Sequence, residues 1–287
     1  MERNNEISQE VDSKIIDTKL KTGSMISQTS APNAGTPVRS LAIIIHVFYF
    51  EIFQEIMEYF KNNSGATFKF YVTYPVEISD KVTDFFNKTS YQYCLLNVEN
   101  RGRDVLPFLQ IIQQTFGDGH QLILKVHTKK SDHRLTGELW RRDLFSKLLN
   151  QKAIDQAISL FNMDQTVGLI GAPGHIVPMS LYYGSNASLI EKLSGSMGVE
   201  SSQLGNLYFP AGSMFYARKQ ALLPLLNIGL TPEDFEPELG QRDGTMSHAV
   251  ERAFAISTHA AGLKLVDASY NPQIKEVTVT KDHPFTN

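Results

Sequence analysis

The 287-residue chain has a single cysteine, Cys94. An internal disulfide and any cysteine-based zinc site are therefore excluded, and a reducing compartment is the natural setting. No apolar run reaches the roughly 18 residues of a membrane-spanning helix. The opening MERNNEISQEVDSK has no hydrophobic signal core. The expectation is a soluble cytoplasmic protein. Charge of one sign is also lacking. Lys plus Arg number 27 and Asp plus Glu 30, a formal −3, which argues against a protein that coats nucleic acid.

Several catalytic signatures are missing too. The sequence contains no G-x-x-x-x-G-K-[ST] phosphate loop, no G-x-G-x-x-G, no G-x-S-x-G elbow and no H-E-x-x-H. Nor is there a D-x-D, the short acidic pair that holds a divalent metal against a diphosphate. Neither a metal site nor a bound cofactor is expected.

What is present is a patterned chain. Residues 1–39 are polar, rich in Ser, Thr, Asn, Gly and Pro, and read as a disordered tail. From Leu41 the run LAIIIHVFYF marks a strand buried on both faces. Apolar spacing then alternates between strand and helix: EIFQEIMEYF, FKFYVTYP, VTDFFNKTS, YQYCLLNVEN, DVLPFLQIIQQTF and HQLILKVHTKK. Such alternation predicts right-handed crossovers and a mostly parallel sheet covered by helices. Further on, WRRDLFSKLLN, AIDQAISLFN and GTMSHAVERAFAISTHAAG read as helices, TVGLIGAPG and LKLVDASYN as strands, and FPAGSMFYARKQALLPLLN as one strand leading into a helix. With no linker after residue 40, residues 40–287 are expected to form one α/β domain.

The near-neutral total hides a separation. Arg101 to Arg142 holds eight Lys/Arg against four acids, +4, so the remainder carries −7. Ligands of open α/β sheets bind beyond the carboxyl ends of the strands, where this basic excess falls. In N-R-G-R-D, Gly102 permits a tight turn, Asp104 can cap the next helix, and Arg101 and Arg103 can offer forked donors to phosphate. In K-V-H-T-K-K-S-D-H-R, Lys125, His127 and Lys129 alternate onto one face and Lys130 extends the charge. A cluster of cations at a strand end is unfavourable without a neutralising anion. Solvated loops are the bland alternative for both. In W-R-R-D, Trp140 is either core or a stacking surface, and Arg141 either reaches phosphate or pairs with a neighbouring acid. Gly212 and Ser213 in F-P-A-G-S-M-F are small enough for close approach of a sugar ring. The acidic stretch Glu233–Arg252 carries six acids against two arginines and includes Glu238, Gln241, Asp243, His248 and Arg252. An acidic helix start facing a basic pocket is what a general base beside a leaving diphosphate requires.

Taken together, the strings HVFYFEIFQEI, NRGRDVLPFL, LKVHTKKSDHR, WRRDLF, GLIGAP, FPAGSMFYAR and ELGQRDGTMSHAVER resemble the rhamnan-synthesis F (RgpF) family of polysaccharide-assembly proteins. The resemblance covers about Leu41 to Asn271. It implies a single GT-A-like, Rossmann-like α/β domain and a glycosyltransferase. It implies transfer of rhamnose from a nucleotide-diphosphate donor, dTDP-rhamnose, to a cell-surface or lipid-linked glycan. The missing D-x-D points to metal-independent transfer, and a single carboxylate that deprotonates the acceptor is what inverting transfer needs. On this reading Asp243 is the catalytic base, with Glu238 second. Arg101, Gly102, Arg103, Asp104, Lys125, His127, Lys129 and Lys130 serve the diphosphate, and His46 and Tyr49 the base. Trp140, Arg141, Gly212, Ser213, Gln241, His248 and Arg252 line the sugar and acceptor. A membrane-associated assembly complex at the inner face of the membrane is the expected setting. The competing reading is a non-catalytic glycan- or nucleotide-binding subunit of such a complex.

Overall fold

The computed structural model describes residues 40–61, 67–128, 130 and 137–274. The N-terminal tail, Lys129, and the segment 131–136 with His133 and Arg134 lie outside the described residues. The first strand, β1 (Ser40–His46), is buried along nearly its whole length, as its apolar run demands. It feeds α1 (Phe50–Glu58), β2 (Thr67–Tyr74), α2 (Ser79–Asn87), β3 (Gln92–Asn97), α3 (Val105–Gly117) and β4 (Leu122–His127). The second half adds α4 (Gly137–Leu148), α5 (Gln151–Met163), β5 (Val167–Gly171), β6 (Ile176–Pro178), α6 (Ala187–Ser196) and α7 (Ser201–Leu204). It ends with β7 (Tyr208–Pro210), β8 (Phe215–Arg218), α8 (Lys219–Leu226), α9 (Met246–Ala260) and β9 (Lys264–Asp267).

Seven strands form one sheet in the order β3-β2-β1-β4-β8-β5-β9. β1 pairs in parallel with β2 and β4, β2 with β3, and β5 with β9. Only β8 runs against its neighbours β4 and β5. The fold class is thus α/β with a mostly parallel central sheet flanked by helices. One expectation is corrected. The stretch predicted as one strand before a helix is two strands, and β7 pairs antiparallel with β6 in a separate ribbon. The break falls at Gly212 (φ +90°) and Ser213 (φ +56°), whose left-handed backbone cannot continue a strand.

Alternation along β2 defines the two faces of the sheet. Phe70 points to α1 and α2, with ring centroids 5.3 Å from Phe60, 6.0 Å from Phe86 and 4.9 Å from Tyr91. Tyr71 points the other way and donates to Asp118 at the end of α3, 2.6 Å. On that second face Phe108 of α3, Phe215 of β8 and Phe254 of α9 form an aromatic layer with centroids 5.0–6.5 Å apart. Among the described residues no helix is long and apolar enough to cross a membrane.

The chain runs outward from β1 to β3 and returns to β4 on the other side of β1. The β1/β4 border is therefore the topological switch point where α/β sheets place their ligands. Phe70 has no exposed surface and touches three aromatic neighbours. Its truncation in Phe70→Ala is expected to lower unfolding free energy by about 3–5 kcal/mol in urea titrations.

Candidate functional site at the carboxyl edge of the sheet

His46 and His127 close β1 and β4 and sit opposite one another in register. Lys125, two residues before His127, faces the same side. The residue is 1% exposed, and its ammonium is bonded three ways: to the Asp104 carboxylate, to the Ser213 carbonyl at 2.8 Å and to the Ser213 hydroxyl at 2.8 Å. The rings of Phe108, Phe254 and Phe215 lie 5.4, 5.7 and 5.9 Å from Nζ. All three of its protons are spent inside the protein, so Lys125 is not placed to contact a diphosphate as the sequence suggested. It ties two loops together instead.

Both loops carry left-handed backbone. Gly102 (φ +66°) and Arg103 (φ +54°) precede Asp104, and Gly212 and Ser213 form the other loop. A methyl group on Gly102 would fall 2.5 Å from Leu106 Cβ and 2.9 Å from Phe235, so only glycine fits there. Asp104 occupies the N-cap position of α3, yet its side chain makes no capping bond, which corrects the expectation. The carboxylate turns to Lys125 and to His127 Nδ1, 3.4 Å away. Burial alone would push its carboxyl up, but the His127 and Lys125 charges hold it well below the usual carboxylate range. Burial pushes His46 down from 6.5 to about 4, and its Nδ1 meets the Thr73 hydroxyl at 3.0 Å.

Arg101 and Arg103 reach across to the acidic stretch. Arg101 Nε donates to the Phe235 carbonyl at 2.8 Å. Arg103 donates to the Gln241 carbonyl and to His248 Nε2 at 3.0 Å, with its Nε 3.7 Å from Glu238. Because His248 Nε2 accepts, its proton sits on Nδ1 and is offered to the Thr245 hydroxyl at 2.8 Å. Burial and the Arg103 charge both push His248 down and keep it neutral.

Asp243 is held differently. Its Oδ2 accepts the Ser185 amide at 2.8 Å and its Oδ1 the Asn186 side chain at 2.5 Å. Bonds from Ser185, Asn186 and Gly244 overcome desolvation and lower its carboxyl. A carboxylate stabilised in this way is a weak base. Its observed contacts pin the 184–186 turn to the start of α9.

The remaining expected residues divide into supports and open groups. Trp140 is core-like, 9% exposed, and donates to His175 Nδ1 at 3.0 Å. His175 Nε2 then faces Asp143 at 2.6 Å. Arg141 pairs with Glu55 at 3.3 Å. Arg252 lies 4.7 Å over the Phe209 ring and bonds Glu251 at 2.9 Å, while Glu251 accepts the Gly212 amide at 2.8 Å. Tyr49 lies under Lys130, 5.2 Å from ring to ammonium. His46, Tyr49, Arg103, His127, Lys130, Glu238 and Gln241 thus come together around the switch point. Thr128 and His175 were missed as supports. Neither carries a signal in the sequence, because its partners lie far along the chain. The Thr128 hydroxyl accepts the amides of Phe48 and Tyr49, at 2.7 and 3.1 Å. Among the described residues no three His, Cys, Asp or Glu side chains cluster as metal ligands.

The model of a family described as rhamnan synthesis protein F matches residues 9–262. Two relatives from Xanthomonas campestris pv. campestris, both described as "Uncharacterized protein WxcX", match over 236 residues. The one from strain B100 is 34% identical and the one from strain ATCC 33913 is 33% identical. In each case the match covers 82% of this chain and 34% of the relative, so the chain spans about a third of the length of these curated relatives. Among solved structures, the mannosyltransferase PcManGT from Pyrobaculum calidifontis, in complex with GDP-Man and Mn2+, aligns at 10% identity and a TM-score of 0.40. That alignment covers 91% of this chain and 61% of that one, and the score is too low to establish a common fold.

Two outcomes follow from the geometry. Lys125→Met leaves the Asp104 carboxylate buried without its cation and is expected to cost about 3–5 kcal/mol in denaturant melts. Lys125→Met with Asp104→Asn should recover part of that loss. For His46 the folded value lies below the unfolded one, so the unfolded chain takes up the proton first. Stability should fall as pH drops from 6.5 to about 4, by at most about 3 kcal/mol. His46→Gln should flatten that limb of the pH–stability curve, and an unchanged limb would refute the assignment.

Proposed function

The chain belongs to the rhamnan synthesis protein F family, and from that premise we propose a glycosyltransferase centre at the β1/β4 switch point. The reaction is transfer of a sugar, rhamnose from dTDP-rhamnose, to a cell-surface or lipid-linked glycan. It proceeds with inversion and without a metal, at the inner face of the membrane. The carrying observation is the convergence at one strand edge of a basic group (Arg103, His127, Lys130) with the acidic stretch that supplies Glu238.

Each open residue then has a task. His46 and Tyr49 face the donor base. Arg103, His127 and Lys130 neutralise the diphosphate as it leaves, in the role other enzymes give a metal, and Lys129, outside the described residues, is assigned the same task from the sequence alone. Gln241 borders the sugar, and Gly212 and Ser213, bonded to Glu251 and Lys125, shape the loop behind it. Lys125 and Asp104 hold both loops in place. Glu238 takes the acceptor proton in preference to Asp243, whose carboxylate is already committed to the 184–186 turn.

The test has two steps. In a thermal-shift panel, dTDP-rhamnose at about 100 times its Kd should stabilise the chain by about 2.7 kcal/mol, while unrelated nucleotide sugars do less. With a glycan acceptor present, dTDP release should survive EDTA. Glu238→Gln should lower it at least a hundred-fold with donor binding intact, and Asp243→Asn should act mainly on stability. Loss of activity in EDTA that Mn2+ restores would overturn the metal-free claim. The second reading is a non-catalytic glycan- or nucleotide-binding subunit of an assembly complex, and tight donor binding with no release on any acceptor would favour it.

A further inference from the structure

Three groups that can carry positive charge share one face of the sheet at the β1/β4 border. His46 and His127 are register partners, and Lys125 stands two residues before His127 on the same side. Among the described residues one carboxylate is set against all three. Asp104 pairs with Lys125, lies 3.4 Å from His127 Nδ1 and is lowered by the His46 charge as well. Lys125 already neutralises it. A second cation in the cluster therefore has no acid of its own to offset it.

His46 is placed to respond to that imbalance. It is 8% exposed, and its Nδ1 is engaged by the Thr73 hydroxyl of β2 at 3.0 Å. Among the described residues no protein group bonds its Nε2. His127 and Lys125 of β4 and Asp104 at the start of α3 are the titratable groups on its side, and Lys130 stands over Tyr49 beyond the strand end. Burial pushes His46 down to about 4, Lys125 adds to that and Asp104 opposes it. The ring is thus neutral in the free protein. A diphosphate at His127, one strand spacing or about 4.8 Å away, reverses the balance. Its negative charge acts strongly here, because little water screens the cluster.

We propose that the donor and a proton bind together: His46 is neutral in the free protein and becomes an imidazolium when a nucleotide-diphosphate enters the switch point. The proton comes from solvent, adds to the bare ring nitrogen and departs with the diphosphate. Imidazolium donates from both nitrogens, Nδ1 to Thr73 Oγ1 and Nε2 to the donor. The coupling acts through space, so it holds with Nε2 turned to the donor base. Positive charge is in this way supplied on loading, and the free protein avoids a clash of cations around Asp104. By linkage, donor affinity rises as pH falls. The coupling presupposes that the donor binds at the switch point, as proposed above.

Calorimetry on the full chain with dTDP-rhamnose tests it, in buffers of different ionisation enthalpy. The diphosphate of this probe is esterified at both ends and keeps its charge between pH 5 and 7, unlike a phosphate monoester, which titrates near pH 6. At pH 5.5 the heats should report uptake of about 0.5–1 proton per site, and affinity should rise about three- to ten-fold from pH 6.5 to 5.5. His46→Gln should abolish the uptake and bind equally at both pH values, whereas His127→Gln, which keeps His46, should retain most of it. Independently of any variant, the His46 ring resonances at pH 5.5 should move to their imidazolium positions on donor addition. Binding without proton uptake, or uptake unchanged in His46→Gln, would overturn the coupling and leave donor binding standing. Absence of binding at every pH would overturn the donor reading and the coupling with it.

Discussion

One buried ammonium organises the carboxyl edge of the sheet. Lys125 reaches an interior of three phenyl rings, a place hostile to charge unless every proton finds an acceptor. Asp104 and two atoms of Ser213 meet that demand. The consequence runs in both directions. Lys125 needs the two loops, and each loop needs Lys125 to hold backbone that L-residues seldom adopt. Arg103 and Ser213 are the only positive-φ residues other than glycine among those described, and each is adjacent to a partner of this ammonium or is that partner. Strain concentrated around a fixed ion pair is the mark of a site positioned at some cost in stability.

From this anchor the second half of the chain is brought to the first. The Gly102–Arg103 turn aims Arg103 at Gln241, His248 and Glu238, while Gly212 is held from the other side by Glu251 of α9. α9 thus touches both loops that Lys125 joins. Its start is itself fixed by Glu236, which accepts the Met246 amide at 2.9 Å. A carboxylate at a helix N-terminus is favourable both as a cap and against the dipole. The acidic stretch is therefore in large part a set of fasteners, and Glu238 stands out as its member beside Arg103 at the open edge.

Much of this fold was legible in the sequence because burial leaves a period. The β1 run has no polar interruption and is buried on both faces, and α1, α3 and α9 show helical apolar spacing. The reversed direction of β8 and the β6–β7 ribbon were not legible. Strand direction leaves no trace in a four-residue run, and three-residue strands are too short to show alternation. At the site, the charge map placed a basic excess at the carboxyl edge of the sheet, and cations there must be matched by something. It could not say by what. Lys125 and Asp104 lie 21 positions apart and looked like separate ligand contacts, yet they neutralise each other. Trp140, His175 and Asp143 form a chain of bonds across 35 positions that only the fold closes.

That internal matching narrows where an anion can be held. Of the six described cations between Arg101 and Arg142, Lys125 is consumed by Asp104, Arg141 by Glu55 and Arg142 by Glu138. Arg101 is spent on a backbone carbonyl. Arg103 has its fork turned to Gln241 and His248, so it can meet a ligand only in company with Glu238. Lys130 is left, stacked over Tyr49 at the open edge, in the same segment as Lys129. Among the described residues the basic segment is thus mostly matched inside the protein, and a surplus remains at Lys130, just past β4. A diphosphate drawn to the switch point would meet that surplus together with His127, while the buried pair beneath it fixes the floor against which it sits.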